Sequence, residues 1–522
     1  MKQKLSIGIL IPPDYCIESW EVLLIKNVIE KKIYDKIYFI VSEFTDETKK
    51  PFLVKQFYLF ENFWFKKVTD ASKLISIKKE FDFHHLKIIT NNDSLNDLDL
   101  DIIYKSKRVK FNDIYVANAK YGLWEMIFGE NEYLGSALPA FWEVMNNSPV
   151  IGSAMIVHQK DKQPIPVYQC STQAVPFSVK NTYNSVAWKS ASFLAFRLEE
   201  LIQSGEQHFF DHYQKGMAAD VKQLNAPGNK QMLFLFIRNI LRYIVYKIKN
   251  KITEKRFTIL YSTQPFNVFN ADFSDFKTIS LPVKTFYADP FILKKKDQFY
   301  IFFEDYSDEK GKGHLSVFTL DLNGAIQSKT TILEKEYHLS YPFVFEWKDE
   351  FWMIPETASV KNIQLYKAID FPGEWIFVKN LMSDIEFIDA TLLFHNQKYW
   401  LFGTRQLNMN TSTNDQLFIY YADDLLAEDW NPHPQNPVAT SISNCRPAGK
   451  IFEQNGKLYR PAQNNASFQY GFGICINEIE ILTDFEYKEK LVKEFKPGLN
   501  IPFKAFHTIN TEANFTVIDA II

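Results

Sequence analysis

Cysteine is scarce. The chain has four in 522 residues, Cys16, Cys170, Cys445 and Cys475, with no CxxC and no Cys/His pair at metal-ligand spacing. That excludes a disulfide-stapled scaffold and a cysteine-ligated metal centre, and free thiols in a reducing compartment are the expectation. No run of 18 apolar residues occurs, so no membrane-spanning helix is expected. A dominant charge sign is also missing. Lys+Arg number 59 against 62 Asp+Glu, a net charge of −3, and nothing in that balance draws the chain to nucleic acid. The start, MKQKLSIGILIPP, has a leader's basic end and short apolar run. It reaches Pro12-Pro13 without a small-residue cleavage site, so a first β-strand is expected instead. The expected location is cytoplasmic, with a further option of attachment to the inner face of the membrane.

What is present is globular in kind, with 46% hydrophobic and 23% charged residues. The length predicts more than one core. Residues 1–205 alternate strand-like runs (LSIGILI, 5–11; KIYFIVS, 36–42; LDLDIIYKS, 98–106) with helical spacing (SWEVLLIKNVIEKK, 19–32). That alternation predicts a parallel α/β sheet. Residues 206–256 form a connector, loop-like around NAPGNK (225–230) and then helical. Ile237, Leu241, Ile244, Ile248 and Ile252 recur at helical spacing, and seven cations face one acid, Glu254, over 231–256. Such a helix suits an anionic membrane surface; it equally suits a bridge between domains with a solvated basic face.

Residues 257–522 repeat. Asp289, Tyr341 and Asp389 each stand ten residues before an aromatic pair and fifteen before Glu304, Glu356 or Thr404. A fourth copy starts at Arg446 with a turn two residues longer, and places Gln463 where Glu304 stood. The starts lie 52, 48 and 57 residues apart, and further strand-like runs follow each hairpin. Four strands per repeat of roughly 50 residues is the mark of a propeller blade. The runs FTILYS (257–262) and DFKTISLP (275–282) supply two strands, and FHTINTEANFTVIDAII (506–522) supplies two more. Together they predict one composite blade that closes a ring of five. An open β-sandwich is the rival.

A hairpin reverses direction, so a blade's first strand begins where its second ends. Residues at both positions therefore converge on one mouth. The candidates are Asp289, Glu304, Asp305, Tyr341, Glu356, Asp389, Arg405, Arg446, Gln463, Asn464 and His507, with Asp519 beside His507. Such groups suit a hydroxyl-rich ligand; singly, each also suits a turn cap or a strut between blades. Glycoside chemistry needs two carboxyls, one protonated and one ionised. Asp289 and Asp389 are candidates for base and modulator, and Glu356 or Glu304 for the acid. Neither a metal nor a cofactor is called for.

The stretches ADPFI and IDATLLF are similar to the blade starts of five-bladed furanosidase-type glycoside hydrolases. That resemblance implies an Asp, a second Asp and a Glu on separate blades. Asp289 and Asp389 match the first two; where a third acid would start a blade, this chain has Tyr341 or Arg446. A wider pattern, YADPF…FFED…HLSYPFVFEW…MIPE…DATLL…YWLFGT, resembles the propeller at the N-terminus of plant glucosamine inositolphosphorylceramide transferases. In that family the transferase fold is a separate C-terminal domain, which these residues do not include. The resemblance implies glycan or glycolipid work.

Residues 121–158 resemble the core of formyltransferases that use a formyl-tetrahydrofolate donor. Gly122-Leu123-Trp124, Gly129, Pro139 and Phe141-Trp142-Glu143 carry the likeness. The family's His segment reads Glu125-Met126-Ile127-Phe128 here, and its Asp-Gly-Gly stretch reads Asp161-Lys162-Gln163-Pro164. Neither Met nor Ile moves a proton at neutral pH, so the scaffold is expected without formyl transfer. Glu125, Glu130 and Glu132 offer a different polar set in that cleft, and His158 is expected to be an ordinary surface histidine.

The fold class expected is therefore multidomain: an α/β formyltransferase-like (Rossmann-like) domain over 1–205, the connector over 206–256, and an all-β five-bladed β-propeller over 257–522. The function expected is that of a carbohydrate-active enzyme of cell-surface polysaccharide or glycolipid assembly, with Asp289, Asp389 and Glu356 catalytic. Its partner would be a sugar nucleotide or a glycan; the oligomeric state is left open. The alternatives are a sugar N-formyltransferase with the propeller selecting substrate, and a non-catalytic glycan-binding protein.

Overall fold

The computed structural model describes residues 4–522 except 45–49, 66–68, 83–85, 90–94, 96, 130–133, 215–223, 253–255, 270, 409 and 499–500. Glu130, Glu132, Glu254 and Lys255 lie outside the described residues. The chain forms two compact units, residues 1–249 with 407–412, and residues 250–406 with 413–522.

The first unit is built on a seven-stranded sheet. Its order is Lys87–Ile89, Tyr34–Val41, Leu5–Ile11, Ile102–Lys105, Leu123–Phe128, Val150–His158 and Ile165–Gln173. The first five run parallel, and the last two pair antiparallel, so the sheet is mixed rather than wholly parallel. The apolar run LSIGILI is central and buried almost throughout, as a strand covered on both faces requires. The helix Ser19–Glu30 follows it, opened by reciprocal hydrogen bonds between Glu18 and Glu21. The basic helix predicted over 231–256 is observed over Asn229–Ile252.

The second unit is a five-bladed β-propeller of five four-stranded sheets. Blade one is Thr285–Lys295, Gln298–Ser307, Lys312–Asp321 and Ile326–Leu333. Blade two is Ser340–Trp347, Glu350–Glu356, Asn362–Asp370 and Glu374–Ser383; blade three is Phe387–His395, Lys398–Arg405, Leu417–Ala422 and Asn431–Pro432. Blade four is Phe452–Gln454, Lys457–Asn464, Gly473–Leu482 and Tyr487–Phe495. Blade five is composite: Ile509–Glu512 and Phe515–Ala520 from the chain end pair with Thr258–Ser262 and Lys277–Thr278. Thr258 stands opposite Ala520 and Ser262 opposite Thr516, so the hydrogen-bond ladder joins the two ends of the ring.

The blades are apolar on both faces because each packs against two neighbours. On Gln298–Ser307, Phe299, Ile301 and Phe303 pack with Ile259, Phe515 and Val517 of blade five. The alternate residue Phe302 meets Phe371 and Trp375 of blade two. Alternation with a period of two sends successive side chains to opposite faces. Burying each such ring contributes about 2–3 kcal/mol. A second shared core joins Trp400, Phe402 and Ile419 of blade three to Leu482 and Tyr487 of blade four.

Candidate functional site

The blade starts share a backbone device. In blade one Ala288 pairs with Glu304 and Phe291 with Phe302, so two residues face one across the ladder. The same shift falls between Ser340 and Phe343 in blade two and between Ile388 and Thr391 in blade three. The first bulged residue is left-handed each time: Asp289 at φ 51°, Tyr341 at 43° and Asp389 at 54°. A left-handed bulge re-aims a side chain that the pleat would send elsewhere. For a non-glycine residue it costs about 1–2 kcal/mol, and for one as bulky as tyrosine it is a genuine outlier. The Tyr341 hydroxyl is held by Thr391 Oγ1 at 2.8 Å and by the Gly449 N–H at 2.9 Å, contacts that offset the strain. Gly449 itself needs φ 136° and lies so close to blade five that a Cβ would come within 2.0 Å of the Ile509 carbonyl.

Around Asp289 the chain builds a relay. The Asp289 Oδ1 accepts from Thr508 Oγ1 at 2.9 Å and stands 3.2 Å from His507 Nε2. The other ring nitrogen stands 3.2 Å from Asp519 Oδ1. Asp519 is fixed in turn by the backbone N–H groups of Asp289, His507 and Thr508. Burial alone would strip the His507 proton; Asp519, Tyr470 and Asp289 outweigh it and hold its pKa well above the usual value. Burial likewise pushes Asp289 up, but the His507 hydrogen bond and charge, with Arg446 and Thr508, leave it below the ordinary carboxylate range. Among the described residues Asp289 Oδ2 takes no hydrogen bond, and it is the open oxygen of the pair.

Donor atoms of Asp289, His507 and Asp519 lie within 4.8 Å of one another, a spacing a cation can bridge. Here both ring nitrogens already face carboxylates, and an imidazolium repels a cation. The trio therefore reads as an ion-paired chain that orients Asp289.

A second cluster surrounds Asp389. Arg446 Nε donates to its Oδ2 at 2.6 Å and NH2 to its Oδ1 at 3.3 Å; the Gln463 amide adds a bond at 3.3 Å. The Asp389 carboxyl is fully buried, and burial pushes its pKa up while Arg446 pulls it down. Arg446 is steadied by the Asn414 side chain at 2.8 Å and faces the Tyr470 ring at 5.5 Å.

Two acids complete the mouth. Burial, then the charge of Asp289, raises Glu304 well above the carboxylate range. Its Oε1 lies 3.4 Å from His338 Nε2. His338 Nδ1 accepts the Gly313 N–H at 2.9 Å, which assigns the proton to Nε2. Gly313 has to be glycine here, since a Cβ would lie 2.7 Å from Glu304 Oε1. Burial, then Asp389, brings Glu356 to about 7. Its Oε1 accepts the Ala358 N–H at 2.7 Å, so Oε2, 3.2 Å from Ser340 Oγ, is the oxygen left to carry a proton.

Of the residues singled out from sequence, the structure brings together Asp289, Glu304, Glu356, Asp389, Arg446, Gln463 and His507. Tyr341 packs among them, fully buried, as a strut. Three others turn back to their own blades. Asp305 binds Lys329 at 2.6 Å and Ser316 at 3.0 Å, because it alternates with Glu304 along one strand. Arg405 donates to Tyr420 at 2.7 Å. Asn464 joins Glu494. In the first unit His158 is not an ordinary surface histidine: its Nε2 lies 2.8 Å from Glu125 Oε1, and Lys105 takes the other oxygen at 3.0 Å.

Residues 271–506 match the family model described as Glucosamine inositolphosphorylceramide transferase 1, N-terminal. Two plant proteins named Glucosamine inositolphosphorylceramide transferase 1 are similar to part of the chain. The one from Oryza sativa subsp. japonica is 36% identical over 222 residues, 41% of this chain and 29% of that protein. The one from Arabidopsis thaliana is 32% identical over 219 residues, 41% of this chain and 28% of that protein. The chain thus spans less than a third of the length of these curated relatives. Solved structures that align with it include a family 117 glycoside hydrolase from Zobellia galactanivorans, 11% identical over 51% of this chain and 90% of that one, at TM-score 0.34. A Bombyx mori family 32 β-fructofuranosidase is 14% identical over 54% of this chain and 60% of that one, also at 0.34.

Sequence reasoning missed His338, Tyr470 and Thr508. His338 sits in the link before blade two and Tyr470 in the link between two strands of blade four, where the repeat has no register to follow. Thr508 stands beside His507, and nothing in its residue type marks it as part of a site.

Proposed function

We propose that the propeller mouth is the site of a carbohydrate-active enzyme, working by glycosyl transfer or glycoside processing. One observation carries this reading: two carboxyl groups of one cluster have their pKa values pushed apart, Asp289 down and Glu356 up to about 7. Near neutral pH one is ionised and the other still holds a proton, which is what exchange at a glycosidic carbon asks of its acid and its base. Glu356 then protonates the leaving oxygen, and Asp289 Oδ2 acts as base or nucleophile. Asp389, fully buried, positions Arg446, whose partly exposed guanidinium is the group that meets sugar hydroxyls. Tyr470, 41% exposed beside His507 and Arg446, offers a flat apolar face to a sugar ring. The names of the matching relatives support a glycan or glycolipid substrate, and the reading places the chain in cell-surface polysaccharide or glycolipid assembly.

The test is turnover by the full chain on a panel of glycans, glycolipids and sugar nucleotides. Asp289→Asn and Glu356→Gln should each lower turnover by about a hundredfold or more. Glycan binding that survives both substitutions, with no turnover on any panel member, would instead make the mouth a non-catalytic binding site.

For the first unit we infer a formyltransferase-like scaffold that does not transfer formyl groups. Glu125 occupies the segment where that family places its histidine, and its carboxylate is already engaged by His158 and Lys105. Folate-dependent formylation of an aminosugar nucleotide by this chain would overturn the inference.

A further inference from the structure

We propose that the first unit carries a docking face for an anionic lipid bilayer, built from two adjacent helices. This rests on no part of the propeller reading.

The helix Phe52–Trp64 buries Val54 and Phe57 and turns Phe52, Leu59, Phe63 and Trp64 outward. Phe63 is 65% exposed and Trp64 62%. These positions recur at 52, 59 and 63, one face of a helix. The basic helix Asn229–Ile252 also has two apolar faces. Met232 and Leu235 are buried in the first unit's core. Leu233, Ile237, Leu241, Ile244 and Ile248 form an exposed stripe, with Leu241 58% and Ile248 55% exposed. The two helices touch: Phe60 meets Phe236 at 5.8 Å, and the Leu53 N–H donates to Asn229 Oδ1 at 2.9 Å. The outward stripes therefore belong to one surface of one unit.

Charge selects the occupant. The sequence of Asn229–Ile252 holds six cations and no acid. On Phe52–Trp64 the sole acid, Glu61, is buried and bound to Ser178 and the Lys180 N–H, while Lys55 is exposed. Lys230 and Lys247 are exposed on the basic helix. Apolar stripes fringed by cations, without an exposed carboxylate among the described residues of the two helices, fit the headgroup boundary of an anionic leaflet: the rings and aliphatic chains enter the acyl layer and the lysines stay at the phosphates. A large exposed apolar patch on a folded unit needs such an explanation. Among the described residues no helix is long and apolar enough to cross a membrane. The mode is therefore one of lying on the surface.

The experiment is co-sedimentation of the full chain with vesicles of phosphatidylcholine alone or with one third phosphatidylglycerol. Binding to the anionic vesicles is expected, weakening as salt rises and the Debye length shrinks. Phe63→Glu with Trp64→Glu, and separately Ile237→Glu with Leu241→Glu, should each lower the partition coefficient at least tenfold. Far-UV circular dichroism should be unchanged, since all four side chains point outward. A chain that stays in the supernatant with anionic vesicles at low salt overturns the proposal. So does a dimer in solution that these same substitutions dissociate, because a second copy would then cover the face.

Discussion

Arg446 Nε lies 2.6 Å from Asp389 Oδ2, although the two residues start different blades and stand 57 positions apart. Arg446 occupies in blade four the place that Asp289, Tyr341 and Asp389 occupy in the first three. One blade start thus supplies the counter-charge for another, and an acid can be buried in the mouth without being left alone.

This pairing predicts an asymmetric response to substitution. Arg446→Gln leaves a fully buried carboxylate without its partner and should cost about 3–5 kcal/mol in urea denaturation. Arg446→Gln combined with Asp389→Asn removes both charges and should recover most of that loss. Equal losses for the single and the double variant would show that the pair holds the fold by shape rather than by charge.

Glu356 should make both activity and stability depend on pH near 7. Its carboxyl is raised from the ordinary 4.5 to about 7, so the folded chain holds the proton more tightly than the unfolded one. Below pH 4.5 its burial carries no ionisation penalty. The penalty grows as pH rises to about 7 and is constant above, at about 3 kcal/mol. Glu356→Gln should therefore gain stability relative to the parent between these two pH values in denaturation midpoints. Turnover by the parent should decline as pH passes 7, where the acid loses its proton.

The left-handed bulges separate backbone strain from chemistry. Asparagine tolerates φ 51°, so Asp289→Asn should lose turnover and the ion pair with His507 without adding backbone strain. Asp289→Val loses the same charge but adds a β-branched residue at that φ, with a further cost of about 1–3 kcal/mol. Indistinguishable denaturation curves for the two would remove the argument from the bulge.

Asp305 is the control for the site. His314 and Lys329 outweigh burial and hold its carboxyl at about 2 against an ordinary 3.8. Its contribution is present above pH 3.8 and is lost as pH falls through about 2. With allowance for solvent screening around the half-exposed Lys329, Asp305→Asn should cost roughly 1–2 kcal/mol at neutral pH. Turnover should be retained, because Asp305 faces its own blade; a hundredfold loss would return it to the mouth.

Much of the propeller was legible because hairpins repeat. Asp289, Tyr341 and Asp389 announce the blade starts by their fixed distance to the aromatic pairs, and the strands of 257–262 and 506–522 announce the closure. The mouth was legible only in outline. Glu304 and Asp305 are adjacent and alike in sequence, yet one joins Asp289 and the other pairs with Lys329. Nothing in residue type separates them; the pleat does, since one step along a strand reverses the face. In the first unit the alternation of early strands with helices predicts a parallel sheet, a signal silent on how Val150–His158 and Ile165–Gln173 pair, which is antiparallel.

By itself the sequence determined that there are five blades, that the last is shared between distant segments, and that acids and arginines stand at strand ends. Local periodicity sets these, and periodicity is written in the order of residues. Tertiary structure alone decided that His507 stands between Asp289 and Asp519, that Arg446 closes on Asp389, and that Glu356 keeps a proton to about 7. Those outcomes depend on burial and on charges brought together from remote positions, and a pKa responds to its neighbours in space rather than along the chain.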